Sequence, residues 1–438
     1  MKIHFIGIGG IGISALAKYY LEKGNEISGS DLASSEITKA LEKKGAKIFI
    51  GKHQAKNLPK DVDLVVYSRA IPKDNPELLA ARSYKLEVKS YPQALGKLTK
   101  KYFTIAVSGS HGKGTTTAMI SFILIKAGLD PTVILGTKLR EFGDSNCRIG
   151  ESNYLVIEAD EYRASFFNYW PRIIVLTNIE KEHMDYFKNL NHILETYKEY
   201  ISHLPEEGLL VANKDDENIR HVTRDMKYVT FYSLEQKEAE KLRNVLKIPG
   251  DHNIYDALAA LTAARFLKIP DRTSFEALAE YQGAWRRFEI HRVICNTKPI
   301  TVVSDYAHHP TEIDVTLKAV REKFPKKKIW VVFQPHQYQR TYYLFNEFVE
   351  VLKRASLDRL IVTDIYDVAG REEKKIKKQV SSEKLVQSIN KKNAIYVPSI
   401  EETTNYLKKS LQGEEVVVIM GAGTIYRAVE RLIDKKQK

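Results

Sequence analysis

The 438-residue chain has only two cysteines, Cys147 and Cys295. Two distant thiols make neither a disulfide framework nor a cysteine-based metal cage, and such usage fits a reducing compartment. An apolar run long enough to cross a bilayer is also missing. The N-terminus opens directly on a strand pattern, Lys2 to Ile8, without the layout of a secretory leader. The expectation is a cytoplasmic protein with no membrane partner. Acidic residues are in deficit, 55 against 68 lysines and arginines, for a net charge of +13. A basic chain invites a nucleic-acid partner. Here, however, many of the lysines are dispersed over probable helix faces. The denser runs, Lys326 to Lys328 and Glu372 to Lys378, read as solvated loops and helix ends. No nucleic acid is expected, whereas anionic nucleotides would suit the positive field. The length suggests about three domains.

The stretch Lys101 to Ile120, KYFTIAVSGSHGKGTTTAMI, organises the rest. An apolar run, Phe103 to Val107, predicts a buried strand. Gly109, Gly112 and Gly114 make a loop, and Thr115 to Thr117 open a helical pattern. A strand, a glycine loop and a helix N-terminus form a phosphate cradle, to which Lys113 adds charge. The spacing is G-x-x-G-K. Val107 stands where the longer phosphate-loop motif has its first glycine. A plain glycine turn with a solvated lysine is the competing reading.

Upstream, Gly7, Gly9 and Gly12 follow a strand in the order G-x-G-x-x-G and precede a helix expected over Ile13 to Lys23. Asp31 ends the next strand pattern. This is a full dinucleotide-binding fingerprint. Its physical content is narrower: a tight turn and a helix N-terminus for any nucleotide diphosphate, a UDP-sugar included. A strand at Leu64 to Tyr67 ends in Ser68-Arg69-Ala70-Ile71, so Ser68 and Ala70 are contact candidates for the same ligand.

Downstream, a strand ends in Glu158-Ala159-Asp160-Glu161, and another in TNIEKEHMD with His183 and Asp185. Clustered carboxylates need a cation or donors to neutralise them. Carboxylates and threonine hydroxyls favour Mg²⁺. Thr115, Glu158 and His183 are therefore a candidate metal set; helix capping and a surface histidine are the competing readings. Asp251-His252-Asn253 precedes a helix expected over Ala257 to Phe266, where His252 and Asn253 either meet a purine edge or cap the helix. In the last third, strands expected at Thr301 to Ser304 and Lys328 to Phe333 end in Asp305-Tyr306-Ala307-His308-His309-Pro310 and Gln334-Pro335-His336-Gln337-Tyr338-Gln339-Arg340. Repeated strand-then-helix units indicate another parallel sheet.

These segments together resemble the Mur ligase family, ATP-dependent amide-bond-forming enzymes of bacterial cell-wall synthesis. The resemblance covers essentially the whole chain. It rests on GIGGIG at Gly7, SGSHGKGTTTAM at Ser108, EADE at Glu158, TNIEKEHMD at Thr177, DHNIYDALAA at Asp251, GAWRRFE at Gly283, DYAHHPTEI at Asp305 and FQPHQYQRT at Phe333. It implies an α/β protein of three domains. Residues 1–98 would be a Rossmann-like UDP-sugar domain, 99–288 a central P-loop ATPase-type parallel-sheet domain, and 289–438 a C-terminal Rossmann-like domain for the amino acid.

The implied reaction joins L-alanine to the lactyl carboxylate of UDP-N-acetylmuramate through an acyl phosphate, with ATP and Mg²⁺, in a monomer or weak homodimer. A tripeptide-adding recycling ligase is the alternative within the family. A nicotinamide dehydrogenase using Gly7 to Gly12 and Asp31 is the rival of another class, and a non-catalytic nucleotide-binding protein is a third. The resemblance assigns the UDP-sugar to Gly9, Gly10, Ile11, Gly12, Asp31, Ser68, Ala70 and Ile71. ATP falls to Ser110, His111, Gly112, Lys113, Gly114, Thr115, Thr116, His252, Asn253, Arg287 and Asp305. Tyr306, His308, His336 and Arg340 fall to the amino acid, and Thr115, Glu158 and His183 to the metal. Lys113, Asp305, His308 and Arg340 are the implied catalytic set. The chain departs from the family pattern at Gly114, Asp256 and Gln337, where threonine, asparagine and arginine are usual. Tyr197 stands where some relatives carry a carbamylated lysine, so no carbamate is expected.

Overall fold

The computed structural model describes residues 1–295, 298–368 and 374–433. Of the charge run 372–378, residues 372 and 373 lie outside the described residues. By packing, the chain divides into two compact units. One comprises Met1–Lys181, Asn189–Val245 and Tyr255–Tyr281; the other comprises Glu182–Lys188, Leu246–Ile254 and Gln282–Lys438.

The first unit holds two sheets. Strands β1 (Lys2–Ile6), β2 (Glu26–Asp31), β3 (Lys47–Ile50), β4 (Leu64–Tyr67) and β5 (Glu87–Ser90) pair in parallel in the order β3-β2-β1-β4-β5. The order reverses between β1 and β4. Such a switch point opens a crevice beyond the strand C-termini. The glycine turn after β1 and the Ser68–Ile71 turn after β4 line it.

The second sheet comprises β6 (Phe103–Ser108), β7 (Thr132–Leu139), β8 (Ser145–Arg148), β9 (Tyr154–Glu158), β10 (Ile173–Leu176), β11 (Leu209–Asn213) and β12 (Val229–Tyr232). Its order is β12-β11-β10-β6-β9-β7-β8. Only the β7–β8 pair is antiparallel among the described residues. Strand β6 lies between β10 and β9, so the phosphate loop emerges beside the ends of both.

The second unit holds β13 (Glu289–Cys295), β14 (Lys298–Asp305), β15 (Ile329–Phe333), β16 (Arg359–Val362), β17 (Ala394–Tyr396) and β18 (Val416–Met420), in the order β13-β14-β18-β15-β16-β17. Here β13 is the antiparallel strand. Parallel strands covered on both faces read as unbroken apolar runs. The runs Ile173–Leu176 and Val416–Met420 are buried throughout. The three sheets are the three-domain α/β organisation that the sequence predicts. The β7–β8 hairpin is not foreseen, because β8 reads only as SNCR. Also unforeseen is the early start of the helix Asp251–Phe266, which takes His252 and Asn253 into its first turn. Asn253 Nδ2 donates to Pro249 O at 2.6 Å, and Gly250 turns left-handed (φ 96°) just before. Among the described residues no helix is long and apolar enough to cross a membrane.

Candidate active site

The phosphate loop is braced from β10. Ser110 N–H donates to Asn178 O at 2.9 Å, and His111 N–H to Asn178 Oδ1 at 2.8 Å. Thr177 Oγ1 donates to His111 O at 2.6 Å. Gly112 enters the helix Lys113–Lys126 with φ 81°, a left-handed conformation that glycine adopts without strain. A Cβ there would also lie 2.5 Å from Asp256 Oδ1. That carboxylate accepts from Thr116 Oγ1 at 2.7 Å. Asp256, where the family has asparagine, thus anchors the first turn of the helix. The first intrahelical bond runs from Thr116 N to Gly112 O, so the amides of Lys113, Gly114 and Thr115 are left for an anion.

Lys113 Nζ donates to Gly109 O at 2.5 Å, Ser110 O at 3.1 Å and Glu161 Oε2 at 3.0 Å. Burial alone would lower its pKa. The Glu161, Asp160 and Glu158 carboxylates outweigh burial and raise it, so the ammonium stays charged. Glu158 Oε1 accepts from Gly136 N–H at 2.5 Å. A Cβ on Gly114 would meet the same oxygen at 3.2 Å, so position 114 is a first-turn position that abuts Glu158. The Thr115 hydroxyl has no hydrogen-bond partner among the described residues. Carboxylate and hydroxyl oxygens at the phosphate loop fit a hard divalent cation such as Mg²⁺. Tyr197 is buried edge-on to Phe166.

At the first crevice, the Gly7 and Ile8 amides both donate to Ser30 O, at 2.8 and 3.0 Å. Gly9 N–H donates to Asp31 Oδ2 at 2.8 Å. Asp31 therefore clamps the turn itself, a use that spacing does not reveal. Gly10 precedes the helix Ile11–Glu22, with Gly12 in its first turn. A Cβ on Gly7 would lie 3.2 Å from both Ser68 Cβ and Ile71 Cδ1, so both residues line the turn. Ala70 is exposed, and its N–H donates to Ser68 Oγ at 3.3 Å. Arg69, overlooked in the sequence, donates to Tyr162 O, Arg163 O and Ser165 Oγ.

The second unit carries its own cluster. Asp305 is buried; Oδ2 accepts from Phe288 N–H at 2.7 Å and Oδ1 from Ala307 N–H at 2.8 Å. Burial raises its pKa against the pull of Arg287. With both oxygens engaged, Asp305 fixes the loop bearing Tyr306 and His308. His308 Nδ1 lies 3.0 Å from both Tyr306 O and Glu312 Oε2, two acceptors, so Nδ1 carries the proton. In the neutral ring Nε2 then keeps a lone pair. Arg287 lies over the Tyr306 ring at 5.0 Å. His252 is neutral: burial, helped by Arg287, pushes its pKa down to about 4. Its Nε2 accepts from Asn253 Nδ2 at 3.0 Å.

Arg340 donates through Nε and Nη2 to Glu182 Oε1, at 3.0 and 2.7 Å, and through Nη1 to His336 Nδ1 at 3.1 Å. Burial alone would raise Glu182; Arg340 and the nearby histidines hold it well below the carboxylate range. Glu182 was legible only as a neighbour of His183. His183 itself has φ 55°, an uncommon conformation for a non-glycine residue that clusters at functional sites. Gln337, where the family has arginine, is buried with φ 73°.

A glycine turn for a nucleotide diphosphate, a lysine-bearing phosphate loop flanked by carboxylates, and a third α/β domain with an Arg–His cluster define an ATP-dependent ligase class. Residues 2–103 match the Mur ligase family catalytic domain, residues 107–264 the Mur ligase middle domain, and residues 286–423 the Mur ligase glutamate ligase domain. The chain belongs to the Mur ligase family. It is 42% identical to the UDP-N-acetylmuramate–L-alanine ligase of Acetivibrio thermocellus, covering 99% of this chain and 96% of that one. It is 39% identical to the enzyme of the same name from Clostridium novyi, covering 99% and 98%. Among solved structures it resembles the UDP-N-acetylmuramate-alanine ligase MurC of Thermotoga maritima, with a TM-score of 0.80 and 29% identity over 100% and 99% of the two chains.

Proposed function

We propose that this chain joins L-alanine to UDP-N-acetylmuramate at the expense of ATP, in peptidoglycan synthesis. The observation that carries the reading is the pairing, within one unit, of a glycine turn clamped by Asp31 and a lysine-bearing phosphate loop beside three carboxylates. A dehydrogenase has no use for the second. On this reading residues 1–98 hold the UDP-sugar, 99–288 hold ATP and 289–438 receive the amino acid. The protein acts in the cytoplasm as a monomer or weak homodimer.

The lactyl carboxylate attacks the γ-phosphorus, its oxygen forms the new P–O bond, and ADP leaves. Lys113 and the first-turn amides stabilise charge on the transferring group. Thr115 and Glu158 would hold Mg²⁺, which supplies charge neutralisation at the phosphates when bound. The alanine amine then attacks the acyl carbon, and phosphate departs with the former carboxylate oxygen. The lone pair on His308 Nε2 suits it to take the amine proton. Tyr306 and His336 take the side of the acyl acceptor, and Asp305 and Arg287 order the Tyr306 loop. His252 and Asn253 take the adenine side.

The test is phosphate release from ATP with UDP-N-acetylmuramate, adding L-alanine, L-serine, glycine or a tripeptide singly, with mass detection of the product. Release that requires L-alanine, with the alanyl conjugate as product, is expected. Release with the tripeptide alone would move the chain to the recycling activity. No release with any acceptor would refute a ligase.

A further inference from the structure

One aromatic hydroxyl stands beside the first glycine turn. Tyr91 is the first residue of the helix Tyr91–Thr99, which follows β5 directly. A capping box fixes its backbone, with Ser90 N–H donating to Gln93 Oε1 at 2.9 Å. Its ring lies against the first turn of the helix Ile11–Glu22. A Cβ built on Gly12 would come within 3.1 Å of both Cζ and Oη of Tyr91. The third glycine of the fingerprint is therefore a glycine because this phenol fills the space in front of it.

The Tyr91 hydroxyl makes no hydrogen bond among the described residues, although the side chain is half-buried. The hydroxyl is thus an open donor beside an anion-binding helix start. The neighbourhood fixes its protonation. Burial first, then the Glu158 and Asp160 carboxylates, push the phenol's pKa up. The hydroxyl therefore keeps its proton as a donor, and it lies within electrostatic reach of the carboxylates at the end of β9. It thus borders Gly12 of the first turn and feels the carboxylates that flank the phosphate loop.

We infer that Tyr91 is a binding residue for the sugar nucleotide, donating its hydroxyl to an oxygen of the ligand where it leaves the first glycine turn. This rests on the proposed use of that turn for a UDP-sugar. Neither the fingerprint nor the phosphate-loop motif includes position 91.

Tyr91→Phe removes the hydroxyl and keeps the ring, so packing against Gly12 is preserved. Binding of UDP-N-acetylmuramate, and of UDP alone, to the full chain is measured by calorimetry without ATP or Mg²⁺. Loss of one hydrogen bond to a charged acceptor predicts about tenfold weaker UDP-N-acetylmuramate binding. In turnover, KM for the UDP-sugar rises by the same factor, while KM for ATP and kcat stay within about twofold. A residue that only packs would instead lower Tm or disturb both substrates. Weaker binding of both UDP and UDP-N-acetylmuramate supports the inference and places the acceptor on the diphosphate. Weakening of UDP-N-acetylmuramate alone supports it and places the acceptor on the muramyl part. Unchanged binding of both ligands by Tyr91→Phe, with a wild type that binds them, overturns the inference and leaves the proposed function standing. A wild type that binds neither overturns both.

Discussion

The first unit contains the same device twice. After β1 and again after β6, a buried strand ends in glycines, turns, and enters a helix whose free amides await an anion. What surrounds each turn differs. Among the described residues no lysine or arginine is bonded to the first turn; it hangs from Ser30 O and Asp31, and Ser30 rests in turn on Glu77. Glu77 is wholly buried and takes hydrogen bonds from Ser30, Asn57, His4 and His53. The second turn carries Lys113 and stands among Glu158, Asp160 and Glu161. A helix start braced by a carbonyl and a carboxylate, with no lysine on it, binds a diphosphate and holds it. The same start with a lysine ammonium and nearby carboxylates can also stabilise charge as it moves between oxygens. The backbone motif says where an anion binds, and the side chains around it decide whether it reacts.

That contrast can be broken most forcefully at Lys113. Lys113→Ala should lower kcat by about 10³-fold or more while UDP-N-acetylmuramate binding changes little; steady-state kinetics beside calorimetry read the two effects apart. Gly112→Ala comes next. It combines a left-handed φ with a 2.5 Å approach to Asp256 Oδ1, which would have to shift and take Thr116 with it. A drop of about 10²-fold in kcat/KM for ATP is expected, with the UDP-sugar KM spared. Asp31→Ala is the mirror experiment. Loosening the first turn should weaken UDP-N-acetylmuramate binding about tenfold and leave ATP binding unchanged.

The smallest effect is on stability in acid. Glu77 is held at about 2 despite its burial, by the hydrogen bonds from His4, Ser30, Asn57 and His53. Its folded pKa is depressed, so its contribution is complete above the unfolded pKa near 4.3 and is lost as pH falls toward 2. Denaturant melts should show about 1 kcal/mol lost by pH 4, a loss absent in Glu77→Gln.

How much of this was legible follows from what sequence spacing encodes. Apolar runs gave away β1, β4, β6, β9 and β10, because buried parallel strands have no polar face to interrupt them. Both turns and the residues at the strand ends were placed for the same reason. The partners of those residues were not, since hydrogen bonding joins positions far apart in the chain. Asp31 reads as a sugar-nucleotide contact from the fingerprint, and in the structure it clamps Gly9. Arg340 reads as a carboxylate receptor for the amino acid, and in the structure its carboxylate is Glu182, 158 residues away. Asp256 reads as a departure from a motif, and it anchors the phosphate-loop helix. The hairpin β7–β8 was hidden because a four-residue polar edge strand lacks periodicity.

The most direct measurement of the central claim follows one oxygen atom. UDP-N-acetylmuramate labelled with ¹⁸O in its lactyl carboxylate is turned over with ATP, Mg²⁺ and L-alanine, and the released phosphate is weighed by mass spectrometry. If the first turn presents the substrate and the lysine-bearing loop transfers phosphate to it, one labelled oxygen appears in the phosphate for each alanyl product formed. Unlabelled phosphate alongside the same product would contradict the account.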